Sequence, residues 1–172
     1  LSIPVTVNNL IAPPPPPPPP PTGTGSATFV ALDTTTQGNW KSLYGQEGGL
    51  IASDSNVQPG YGQVSFSNSS LYVWDSKPTN VAALERQSGN RIASTWYQGG
   101  TFTVDVNLTD GKTHQVALYV LDYDSQSRTQ RIDVVNPANG VILDSRTVAA
   151  FNRGMYLVWN ASGRVQFKVT RI

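Results

Sequence analysis

Nine consecutive prolines at residues 13–21 divide this chain before any other feature is weighed. Proline fixes φ and carries no backbone N–H, so such a run belongs to neither a helix interior nor a central strand. Its expected form is an extended polyproline II rod at about 3.1 Å per residue, a stiff spacer about 28 Å long. Thr, Gly and Ser fill residues 22–26 and make a short flexible joint. The expected organisation is an isolated segment at 1–12, a linker at 13–26 and one domain at 27–172.

The segment before the prolines alternates. Leu1, Ile3, Val5 and Val7 share one face, with Ser2, Pro4, Thr6 and Asn8 on the other, the period-two pattern of a strand. Pro4 cannot donate a ladder bond, so the strand should lie at an edge or leave that side unpaired. Leu10 and Ile11 fall out of phase, which implies a bulge or twist there. A lone strand does not stay folded by itself.

About 145 residues remain for a core, enough for one domain. Only 13% of the chain is charged, a composition that suits strands and turns better than surface helices rich in Lys and Glu. Strands are expected near residues 28–32, 62–67, 71–74, 91–97, 101–106, 114–122, 130–135, 141–144, 155–160 and 164–170. The Asp110-Gly111 turn is expected to join 101–106 and 114–122 as a tight hairpin, because Asp-Gly tolerates positive φ. Residues 81–87 alone read as helical, for one or two turns. Many short strands at this spacing predict an all-β fold, an antiparallel two-sheet sandwich of jelly-roll type.

Composition also excludes function classes. Twelve basic and eleven acidic residues give a net charge of +1, without the clustered cations that nucleic acid or an anionic membrane requires. No cysteine is present, which removes disulfides, thiolate catalysis and cysteine-based metal sites. No apolar run reaches the roughly 20 residues of a membrane span. The start at Leu1 reads as that of a processed, secreted chain.

Catalytic groups are sparse. His114 is the single histidine, so neither a triad nor a histidine-rich metal site is legible. Glu47 and Glu85 lie in no recognisable glycosidase pattern, and no catalytic residue or cofactor is expected. Asp122 and Asp124, near Arg128 and Arg131, read as ion pairs in preference to a calcium or sugar site. Trp40, Tyr44, Trp74, Trp96 and Tyr97 offer faces on which sugars stack. Core packing should claim most of them; Trp40, in a polar Gly-Asn context, is the best candidate for exposure, with Tyr44 beside it. The sequons at Asn68, Asn107 and Asn160 are expected by chance in a chain so rich in Asn, Ser and Thr.

Three segments, TQGNW at 36–40, QVALYVLDYD at 115–124 and GMYLVWN at 154–160, resemble the galactose-binding-like jelly-roll modules of large secreted bacterial proteins. The resemblance covers about 135 residues. It implies an extracellular or cell-surface bacterial protein and a sandwich in which a strand like 164–170 is followed by one more apolar strand. Residues 5–12, followed by proline, look like that closing strand moved to the other end of the chain. The expectation is therefore a filament subunit whose Ile3, Val5, Val7, Leu10 and Ile11 enter a groove of another copy, bordered by Val165, Phe167 and Val169. The alternative is a non-catalytic carbohydrate-binding module whose partner is a polysaccharide.

Overall fold

A computed structural model describes residues 25–172; the strand expected at 1–12 and the proline run lie outside the described residues. Thirteen strands follow one another. They are β1 (Ser26–Asp33), β2 (Gly49–Ile51), β3 (Ser55–Val57), β4 (Gly62–Ser67), β5 (Ser70–Asp75), β6 (Leu84–Glu85), β7 (Arg91–Tyr97), β8 (Thr101–Leu108), β9 (His114–Val120), β10 (Thr129–Val135), β11 (Ile142–Ala149), β12 (Met155–Ser162) and β13 (Arg164–Arg171). The only helical element among the described residues is a 3-10 turn at Trp40–Ser42. The fold is all-β and antiparallel, in keeping with the expected sandwich.

Two sheets enclose the main core. One has the order β11-β10-β13-β8-β4 and the other β1-β12-β9. β13 alternates as its sequence does: Val165, Phe167 and Val169 are buried while Arg164 and Lys168 face out. Phe167 stands opposite Val104 on β8 and Val134 on β10. β12 is different, because five residues in succession, Met155 to Trp159, are buried. Leu157 and Trp159 belong to the core between the sheets. Tyr156 and Val158 belong to a second cluster with Trp40, Ile51 and Ile92. A strand buried on both faces reads as a continuous apolar run instead of an alternating one, which explains the sequence MYLVW.

The sheets are pinned at Trp159. Its indole N–H donates to Asp144 Oδ2 at 2.8 Å, and its ring meets Phe29 and Phe167 edge-on at 5.6 and 5.1 Å. Arg146 binds the same Asp144 carboxylate at 2.7 Å and lies over the Phe29 ring at 3.9 Å. Side chains from β1, β11, β12 and β13 thus converge on one point.

Three expectations are corrected. Residues 81–87 form no helix; Leu84–Glu85 is a short strand paired with β7, and Ala83 N–H bonds to Asn80 C=O in the turn before it. β8 and β9 are not a hairpin, because the Asp110-Gly111 turn carries the chain from one sheet to the other. Gly111 does take the expected positive φ of 73°, so the local chemistry was legible and the pairing was not. Most important, β13 has no free edge for an added strand: β10 and β8 pair with it on its two sides, although Val169 does line the cavity described below. Val165 and Phe167 are fully buried and Val169 nearly so.

Two measurements follow. Phe167→Ala is expected to cost about 3–5 kcal/mol in denaturant unfolding, because the ring is fully enclosed. The Arg146 guanidinium, with the Trp159 N–H, holds the Asp144 carboxyl below its usual range despite burial. A carboxyl depressed in the folded state contributes stability at neutral pH that is lost as pH falls from about 4 through the lower folded value. Asp144→Asn is expected to flatten that part of the stability–pH curve.

Candidate functional site, an unpaired strand edge on an apolar groove

β9 stands at the edge of its sheet. β12 pairs with it from His114 to Val120 on one side, and no other strand of the described residues pairs with it. Along the free side lies a cavity of about 570 Å3. Residues 114–121 border it without a gap. Alternate residues of a strand point to opposite faces, so a cavity lined by successive residues is bordered by the backbone edge itself. A free edge presents unpaired N–H and C=O groups.

The floor is apolar. Val64 and Phe66 of β4, with Val104, Val106 and Leu108 of β8, project into the cavity from the opposite sheet. Val64, Phe66, Val116 and Leu118 are only partly buried although they pack on the main core. β2 and its flanking residues, 43–52, also line the cavity in succession. β2 pairs with β3 alone among the described residues.

A polar cluster closes one end. Tyr61 stacks on His114 with ring centroids 3.7 Å apart and 10° between planes, and its hydroxyl donates to Glu47 Oε2 at 2.7 Å. His114 Nε2 lies 3.0 Å from Asp110 Oδ2. Burial and the Glu47 carboxylate push the Tyr61 hydroxyl up to about 12. At the other end Trp96 stacks on Phe66 at 3.9 Å.

The sequence-derived candidates are distributed as follows. Trp40 is not exposed: it is 7% accessible, and its indole N–H donates to Glu85 C=O at 2.7 Å. Tyr44 stacks on Tyr156 at 4.4 Å and donates to Asp33 Oδ2 at 2.9 Å. Both are occupied in the second core cluster, although they also reach the cavity wall. Glu47 and Glu85 serve different partners, Tyr61 and Arg91. Asp122 is buried and paired with Arg128, which also binds Asp124; Arg131 pairs with Asp133. Among the described residues, no group of three or more His, Asp or Glu is arranged to hold a metal. Ile3, Val5, Val7, Leu10 and Ile11 lie outside the described residues.

Sequence reasoning did not find β9 as the open edge. Its run VALYV at 116–120 is apolar throughout, as for a strand covered on both faces and flanked on both sides. Nothing local records that one neighbour is absent.

Gly154 sets the position of one groove residue. Its φ is +77°, and a Cβ there would lie 1.6 Å from the Tyr119 hydroxyl oxygen. Tyr119 lies in β9 and donates to Ala82 C=O at 2.5 Å. Gly154→Ala combines a strained backbone with this clash and is expected to lower unfolding stability by more than about 1 kcal/mol.

The chain matches no family model, no curated protein and no solved structure; its groove and its strand order therefore carry the functional reading.

Proposed function

We propose that the protein is a non-catalytic structural subunit of an extracellular filament, in which each copy donates residues 1–12 to the groove of another. The observation that carries this reading is the free edge of β9 above an apolar floor. Main-chain pairing satisfies such an edge, and alternate side chains fill the floor beneath it. Residues 1–7 supply both requirements through the alternation of Leu1, Ile3, Val5 and Val7. β9 has seven residues, so the alternating segment matches its length. Ile3, Val5 and Val7 each contribute roughly 1.5–3 kcal/mol when fully buried. A contact between two different surfaces that does not close on itself propagates as a fibre.

Val5→Asp in the full chain places an unpaired charge over Val64, Val104 and Val106. The wild type is expected to sediment as a heterogeneous series of long species, and this variant as a monomer with unchanged β-sheet circular dichroism. A monomeric wild type, or a variant that polymerises equally well, contradicts the proposal.

A second reading, a carbohydrate-binding module, draws on a different surface. Tyr72 and Tyr97 are about half exposed and lie beside Trp74 and Tyr123 near Asp75 and Asp124. Tyr72 meets Trp74 at 83° and Tyr97 at 79°, so these rings do not form one flat platform. Binding to insoluble polysaccharide that is lost in Trp74→Ala would favour this reading.

A further inference from the structure

The strand directions around the groove specify how its occupant must run. β9 begins at the end of the domain marked by Tyr61, since His114, its first residue, stacks on that ring. β2 begins at the same end, because Glu47, two residues before Gly49, accepts the Tyr61 hydroxyl bond. Both strands lead away from it. Val120 reaches the opposite end, where it pairs with Met155. Ala52, directly after β2, accepts a 2.6 Å bond from Ser94 of β7, whose Trp96 stacks on Phe66 toward that opposite end. β9 and β2 are thus two similarly directed strands lining one cavity, each paired on a single side among the described residues, in a domain whose ladders are all antiparallel.

We infer that the groove receives residues 1–7 of a second copy antiparallel to β9, with Leu1 at the Val120 end and Val7 at the His114 end, completing the order β1-β12-β9-donor-β2-β3. This rests on the filament reading and adds direction, register and source. One strand in the gap pairs antiparallel with both walls only if it runs opposite to β9. Residues directly opposite in such a pair point to the same face. Setting Leu1, Ile3 and Val5 opposite Val120, Leu118 and Val116 sends all three into the core to which those residues belong. Thr6 then lies opposite Gln115, which is exposed.

The exit point argues for a second copy. In this direction residue 12 leaves the groove at the Tyr61 end, and that is also where each domain's own linker attaches. Ser26 pairs with Ser162, beside the Ala161–His114 pair. Within one domain the distance from the gap to β1 is three strand spacings, about 14 Å. The proline rod, about 28 Å long, overshoots that span. Between two copies it bridges their Tyr61 ends, so the domains are strung along a line of proline spacers.

The chain has no cysteine, so engineered pairs report without background. Thr6→Cys with Gln115→Cys in the full chain is expected, on mild oxidation of assembled protein, to give a ladder of covalent multimers in a denaturing gel. Ser2→Cys with Gln115→Cys is expected to give none. The reverse outcome overturns the direction and leaves the donated strand standing. A bond formed only within monomers overturns exchange between copies. Failure of both pairs in polymerised material, together with failure of Val5→Asp to block polymerisation, overturns donation of residues 1–12; a wild type that does not polymerise overturns the filament reading itself.

Discussion

The unpaired edge of β9 is the constraint on which the functional account depends. Backbone N–H and C=O groups that lose water must find partners, and the free edge of β9 borders a cavity lined by Val64, Phe66, Val104 and Val106 and by residues 43–52. β13 is paired on both sides, and the contacts of Trp159 with Asp144, Phe29 and Phe167 hold the two sheets together independently of the groove. The domain therefore combines a half fixed around Trp159 with a half in which β9 keeps one unpaired edge beside an apolar floor.

On the filament proposal, a detachable segment would need no fold of its own, because the groove would supply its apolar floor and a pairing edge. Under the filament proposal, a run of nine prolines would favour donation to a neighbour, because a polyproline segment is stiffer than a flexible tether of equal length. Polar residues at the Tyr61 end, with Glu47 and Asp110 around His114, mark one mouth of the groove. The opposite mouth is aromatic.

Much of the fold was legible in the sequence, and the failures share a cause. Period-two patterns located β8, β10 and β13 because each has one face on the core. The Asp110-Gly111 turn was recognised with its positive φ, yet β8 and β9 proved to lie in different sheets, since turn chemistry fixes a local reversal and not the partner of the strand that follows. Leu84–Glu85 was misread as helical because Val81-Ala-Ala-Leu84 has the composition of a helix; Asn80 and the bonds of Gly38 to Val81 and Glu85 instead hold it as a turn and short strand. Trp40 was placed at the surface from its polar neighbours, whereas the ring packs with Ile51, Ile92 and Tyr156. Segment 1–12 points to an added strand, but nothing local in the sequence points to β9 as a free edge. The resemblance implies a place beside residues 164–170, whereas both edges of β13 are already paired, because order in sequence is not order in a sheet.

The most direct measurement of the central claim is an electron-microscopy map of assembled protein at a resolution that separates strands. The account predicts an extended segment hydrogen-bonded along β9 from His114 to Val120, traceable through the proline run to a different domain. A map in which that edge is empty, or is filled by the same domain's own residues, would contradict it.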